Sequence, residues 1–182
     1  MCVIKQANFE QNQAADGGAI CFFRSNSYLE GDQSDYKFYL NKAFRSGGAI
    51  FCEGFTLPDQ NINKYNLFIF DYAFTNNTAY QTGCAIAIES DSEIYFENLI
   101  FRYNQAGDQG GAIACYNSKL SVFKCAIQAN IAGKGLIRED TLKLSAMEGN
   151  FALRFRGRGC GGISFISTEK SRQFISLRKL FL

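Results

Sequence analysis

The sequence predicts an all-β chain wound as a parallel β-helix, a solenoid of about six coils. Three observations predict it. A two-part phrase returns six times, residues suited to strands fill the space between, and no window sustains a helical apolar stripe.

The first half of the phrase is an apolar residue, two variable positions, Asn, one variable position and Ala. It reads Phe9 to Asn12 with Ala14, Phe38 to Asn41 with Ala43, and Phe74 to Asn77 with Ala79. It continues as Phe101 to Asn104 with Ala106, Ile127 to Asn130 with Ala132, and Met147 to Asn150 with Ala152. A glycine-led strand start follows each time. Its intact form, Gly-Gly-Ala-Ile, stands at Gly17–Ile20, Gly47–Ile50 and Gly110–Ile113, with variants at Gly83–Ile86, Gly135–Ile137 and Gly161–Ile163. The closing isoleucines 20, 50, 86, 113, 137 and 163 lie 30, 36, 27, 24 and 26 residues apart. A unit of this size cannot bury its apolar face alone, whereas stacking on copies of itself can.

The segments leading into each Asn are rich in aromatic and β-branched residues, as in Asn66–Phe74, Glu93–Phe101 and Lys119–Ile127. Aligned on the phrase, Leu67, Ile94 and Leu120 share one position, and Ile69, Phe96 and Val122 share another two residues on. Tyr72, Leu99 and Cys125 share a third, past a change of phase that predicts a corner. Each coil should therefore supply two or three short strands.

Stacked strands lie about 4.8 Å apart. The recurring Asn then falls at one corner in successive coils, where each amide can donate to and accept from its neighbours. Asn12, Asn41, Asn77, Asn104, Asn130 and Asn150 are expected to form this ladder, a structural rather than a ligand-binding device. In the glycine-led strand, Ile20 with Phe22, Ile50 with Cys52, Ile86 with Ile88, Ile113 with Cys115 and Ile163 with Phe165 are expected to face the core. The alternate positions, Ala19 with Cys21, Ala49 with Phe51, Ala85 with Ala87 and Ala112 with Ala114, should make a flat outer surface.

These paired phrases, Phe-x-x-Asn with Gly-Gly-Ala-Ile, resemble the repeat of the polymorphic outer-membrane proteins, surface-exposed autotransporter adhesins. The same repeat occurs in large eukaryotic surface proteins. The resemblance covers residues 9 to about 165. It implies a right-handed helix of pectin-lyase-like architecture, a cell-surface or extracellular, membrane-associated setting, and a partner protein or glycan on another surface. Neither a C-terminal membrane barrel nor a secretory signal is expected within this sequence, since Met1-Cys-Val-Ile-Lys5 lacks a signal's apolar core. The first phrase appears without a preceding glycine-led strand, which predicts that the chain belongs to a longer repeat protein.

Residues 1–165 are expected to form the repeats, and residues 166–182 a basic last partial coil or tail. Residues 1–150 hold 12 basic and 16 acidic groups, whereas residues 151–182 hold seven basic and one acidic. Arg154, Arg156, Arg158, Lys170, Arg172, Arg178 and Lys179 could engage phosphates, but a solvated final coil is the expectation, with no nucleic-acid partner. No apolar run approaches the ~18 residues a membrane-spanning helix needs. Of the seven cysteines, Cys52 and Cys115 share a column two coils apart, about 9.6 Å, beyond disulfide reach. Free, buried thiols are expected. Without His or a Cys-x-x-Cys motif, neither a metal nor another cofactor is expected. Asn76-Asn77-Thr78 is a lone glycosylation sequon, weak by itself.

Three functions compete. The first is a non-catalytic surface module, adhesive or a spacer. The second is a carbohydrate-active lyase or hydrolase, a use that many right-handed β-helices serve; it needs converging carboxylates. Asp32 with Asp35, Glu89 with Asp91 and Glu93, and Glu139 with Asp140 are the candidates, but no matching carboxylate is expected in the coils adjoining Glu89. No catalytic residue and no small-molecule substrate are expected. The third is an intracellular scaffold that binds a protein through an end or a flat face.

Overall fold

The computed structural model describes residues 1–32, 36–54, 65–89, 92–116 and 118–133, with strand segments at 151–152, 163–166 and 176–178. The chain winds into a parallel β-solenoid of four sheets. The first sheet stacks Cys2–Lys5, Ser27–Glu30, Tyr65–Phe70, Ser92–Glu97, Lys119–Phe123 and Ser176–Arg178. The second stacks Phe9–Glu10, Lys37–Tyr39, Ala73–Thr75, Ile100–Arg102 and Ala126–Gln128. The third stacks Gln13–Ala14, Lys42–Ala43, Thr78–Ala79, Gln105–Ala106, Ile131–Ala132 and Phe151–Ala152. The fourth stacks Ile20–Phe23, Ile50–Glu53, Ile86–Glu89, Ile113–Tyr116 and Ile163–Ile166.

Each complete coil thus has four strands where two or three were expected, because the Phe-x-x-Asn phrase is itself a corner. Its Phe lies in the second sheet and its Ala in the third. The residue before each Asn turns the chain with positive φ: Gln11 at 55°, Leu40 at 54°, Asn76 at 55°, Tyr103 at 56° and Ala129 at 51°. Side chains are tolerated in this left-handed region at a cost of about 1–2 kcal/mol, and here they point outward, Leu40 being 42% and Tyr103 61% exposed.

The described stack amounts to about four turns, fewer than the expected six coils. Ile163 pairs directly with Ile113, and Phe165 with Cys115, so residues 163–166 occupy the rung expected for Gly135–Ile137. Gly135–Ile137 and Glu139 lie outside the described residues.

The Asn column forms as expected. The Nδ2 of Asn12 donates to Asn41 Oδ1 at 2.9 Å, that of Asn41 to Asn77 at 3.0 Å, that of Asn77 to Asn104 at 3.0 Å, and that of Asn104 to Asn130 at 2.7 Å. Each of these acceptor oxygens also takes the backbone N–H of the same preceding Asn, at 3.0–3.1 Å. The second amide proton of Asn41, Asn77 and Asn104 goes back to the carbonyl of Phe9, Phe38 and Phe74 respectively, at 2.8–3.0 Å. All four hydrogen-bonding capacities of these side chains are therefore used, which permits Asn41, Asn77, Asn104 and Asn130 to be fully buried. Asn12 is exposed, and Asn150 lies outside the described residues.

Beside the amides runs a column of rings. Phe9, Phe38, Phe74 and Phe101 stack with centroids 4.6, 4.7 and 5.0 Å apart and planes within 11°. Each such contact adds about 0.5–1.5 kcal/mol beyond burial. Leu29, Ile69, Phe96 and Val122 form a second buried column, and Leu67, Ile94 and Leu120 a third. On the fourth sheet Phe22, Ile50 with Cys52, Ile86 with Ile88 and Ile113 with Cys115 are also buried, as expected, and Ile20 is partly buried.

The alanine face is not the flat outer surface that was expected. Ala49, Ala85, Ala87, Ala112 and Ala114 have no solvent exposure, and Phe51 only 7%, whereas in the first coil Ala19 is half-buried and Cys21 exposed. The glycine turn preceding each strand folds back onto this face. At Gly83 (φ +60°) an added Cβ would meet Ile86 O at 2.5 Å and Ala87 Cβ at 2.6 Å; at Gly47 (φ +67°) it would meet Ile50 O at 2.2 Å. Glycine and alanine are needed together, each giving room to the other.

Cys52, Cys84, Cys115 and Cys125 are buried, and no disulfide joins the described cysteines. Cys160 lies outside them. Burial pushes the Cys52 and Cys125 thiols up to about 11 and the Cys115 thiol to about 12.

Three outcomes follow from this packing. Asn77→Ala should lower the unfolding free energy by roughly 3 kcal/mol, since it strands several buried partners, whereas Asn12→Ala at the exposed end should cost under about 1 kcal/mol; denaturant titration reads both. Leu40→Gly should stabilise by roughly 0.5–1 kcal/mol and Gly83→Ala should destabilise by more than about 2 kcal/mol. Because the folded thiols titrate above the ordinary 9.0, their neutral burial contributes fully below pH 9 and is lost as pH rises through about 11 to 12. Stability should accordingly fall across that window, and a thiol reagent at neutral pH should modify Cys21 well before Cys52, Cys84, Cys115 and Cys125.

Candidate functional site

Strand alternation in the first sheet sends one set of side chains into the core and the other to solvent. The outward set forms rows along the solenoid axis. Val3, Tyr28, Phe68, Tyr95 and Ser121 are in register on five successive strands. A second row holds Lys5, Glu30, Phe70, Glu97 and Phe123. Asn66 and Glu93 begin a third. Aromatic rings thus cluster on an outer face: Tyr28 lies 5.3 Å from Phe70, Phe70 5.7 Å from Tyr95, and Phe68 6.4 Å from Tyr95, all tilted by 38–46°. Phe68 is 40% exposed.

An open depression of about 160 Å³ lies among them, lined by Asn66, Phe68, Glu93, Ile94, Tyr95 and Ser121. Its polar edge is ordered. Tyr95 Oη donates to Glu97 Oε2 at 3.1 Å, and Glu97 also meets Lys124 Nζ at 3.5 Å. Glu30 pairs with Lys5 at 2.7 Å, with the ammonium 5.8 Å from the Tyr28 ring centre. The Tyr95 hydroxyl is held above its ordinary value, first by desolvation and then by the bond to Glu97. Rings flanked by an amide, a carboxylate and hydroxyls can take the apolar face of a ligand while hydrogen-bonding its rim.

This face was missed at the sequence level, where attention fell on the inward residues of the same strands. The signal was present: Phe68, Phe70 and Tyr95 occupy the positions between those core residues, where polar side chains are the norm.

The candidate carboxylates are only partly described. Asp32, Glu89 and Glu93 are described, whereas Asp35, Asp91, Glu139 and Asp140 lie outside the described residues. So do Arg154, Arg156, Arg158, Lys170, Arg172 and Lys179. Asn76 of the sequon sits half-buried at its corner. The expectation that no adjoining coil matches Glu89 is wrong. Glu53 pairs with it in register in the coil before, and Tyr116 does so in the coil after. Burial, then the Glu53 and Asp16 carboxylates, push the Glu89 carboxyl up, and Arg45 opposes them. Arg45 itself pairs with Asp16. Among the described residues no group of three metal-ligating side chains is placed to hold an ion, and no helix is long and apolar enough to cross a membrane.

Comparison with known proteins agrees with this geometry. The Chlamydia polymorphic membrane protein repeat matches residues 6–22 and 98–116. Both segments run through a Phe-x-x-Asn corner and the glycine turn into the fourth-sheet strand. The chain is also similar to a metabotropic glutamate receptor-like protein R of Dictyostelium discoideum, with 29% identity over 133 residues. The match takes in 71% of this chain and 7% of that protein, so the chain spans less than a tenth of the relative's length. No solved structure gives a significant match. The chain is a parallel β-solenoid, two segments of which match the repeat of the Chlamydia polymorphic membrane proteins.

Proposed function

We propose that this chain is a non-catalytic module of a longer cell-surface or extracellular protein, holding an adhesive face at a fixed place along a stiff rod. The observation that supports this is the division of labour within each coil. Inward residues and corner amides repeat from coil to coil, which sets rise and register, while outward rows are free to differ. Four coils hold Phe, Asn and Ala in fixed places, yet their outward neighbours run from Val3 through Tyr28 and Phe68 to Tyr95. The repeat it shares with surface proteins, and its similarity to a receptor-like protein, favour the surface setting.

Beads coated with the chain should adhere to cells more than beads coated with an unrelated soluble protein. Equal adhesion would leave only the spacer role.

One observation favours a second reading, a retaining hydrolase. Glu53 and Glu89 stand on adjacent rungs about 4.8 Å apart, close to the about 5 Å separating carboxyls in retaining glycosidases, and Glu89 has the raised carboxyl an acid catalyst needs. Burial is the first cause of that shift, and a half-buried carboxylate beside another would show it without any substrate. Incubation with neutral and acidic polysaccharides should release no reducing ends and no unsaturated uronide. Release that Glu89→Gln abolishes would establish the enzyme instead.

A further inference from the structure

We propose that the outer face of the first sheet binds an extended, neutral, β-linked glycan, laid along the solenoid axis across Tyr28, Phe68 and Tyr95. This rests on the surface-module reading above and names its ligand class.

Four features lead there. First, Tyr28, Phe68 and Tyr95 stand in register on successive rungs, with the Phe68 and Tyr95 ring centroids 6.4 Å apart, so the platform is elongated along the axis. A ribbon-like β-linked chain presents the C–H faces of its sugars to such a line of rings. Second, the depression beside Phe68 and Tyr95, about 160 Å³, is well under the about 300 Å³ at which pockets for drug-sized ligands begin. It suits a single sugar ring lying on an open surface. Third, its lining alternates rings with hydrogen-bonding groups, Asn66, Glu93, Tyr95 and Ser121, which can meet equatorial hydroxyls at the rim of a ring whose face is stacked. Fourth, the charges beside the platform are paired. Lys5 and Lys124 are held by Glu30 and Glu97, so a sulfated or uronic chain would have to break those pairs to reach a cation, whereas a neutral chain would not.

The other exposed ring pair lacks these features. Phe44 and Tyr80 meet edge-to-face at 5.7 Å, and Lys42 lies over both, 5.4 and 5.0 Å from their centres. They lie outside the row of Tyr28, Phe68 and Tyr95, which makes Phe44 a suitable control.

The test is affinity electrophoresis of the full chain through gels containing hydroxyethylcellulose, glucomannan or heparin, with chitohexaose as a soluble competitor. Retardation by at least one neutral polymer is expected, with none by heparin. Phe68→Ala and Tyr95→Ala should each weaken it about tenfold, Phe68→Leu should weaken it similarly because bulk without a ring does not stack, and Phe68→Trp and Phe44→Ala should retain it. Unchanged unfolding midpoints would show that the variants fold. Absence of retardation by both neutral polymers, retardation by heparin alone, or full retention by Phe68→Leu would overturn the proposal. Bead adhesion to cells, run in parallel, separates this from the broader reading. Adhesion that survives Phe68→Ala overturns the glycan face and leaves the adhesive module standing; retardation without adhesion does the reverse.

Discussion

One column of amides sets the terms for the rest of the molecule. A solenoid corner must turn the chain sharply, and the turning residue cannot hand its backbone groups to a helix or an antiparallel partner. In this chain the corner residue before each Asn sits in the left-handed region, a conformation that would relax if nothing held it. The Asn side chain holds it from both directions. Its oxygen takes both N–H donors of the Asn in the coil before, and its amide reaches the next Asn and the Phe carbonyl behind. Shifting one coil by a single residue would break every one of these bonds and turn the flanking side chains inside out. Register, rise and the stacking of the phenylalanine rings then follow from one requirement, that a buried primary amide be fully bonded.

A second corner solves a different problem by different means. Between the third and fourth sheets the chain folds back against the strand it is about to enter, and the left-handed position there is Gly in each of the first four coils, at residues 17, 47, 83 and 110. The Asn corners present their left-handed residue to solvent and accept Leu40 or Tyr103, whereas the glycine corners present it to backbone. The alanines at 87 and 114 belong to this contact rather than to an outer surface. The two halves of the repeat therefore mark two kinds of corner, one stabilised by hydrogen bonds and one by the absence of a β-carbon.

Much of this was legible because periodicity reports packing. The columns through Ile69 and Phe96, the isoleucine face and the Asn ladder all follow from spacing alone. Spacing could not show that the alternate face of the glycine-led strand is covered, since whether Ala87 meets solvent depends on where the Gly83 turn goes. The pairing of Glu53 with Glu89 was legible but overlooked: each stands three residues past an aligned isoleucine, Ile50 and Ile86. The aromatic face was hidden for another reason. Phe68 and Tyr95 raise the strand signal without revealing which side they occupy, and only the register of the core residues beside them assigns them outward. Function is least legible of all, because the residues that repeat are those that build the rod, and those that contact a ligand need not repeat.

Side-chain amide hydrogen exchange in protein labelled with ¹⁵N at asparagine tests the central claim most directly. With the coils stacked as described, the NH₂ protons of Asn41, Asn77 and Asn104 should exchange only through global unfolding, and those of Asn26, outside the column, should exchange rapidly. Equal and rapid exchange at all of them would mean that no amide ladder holds the coils together.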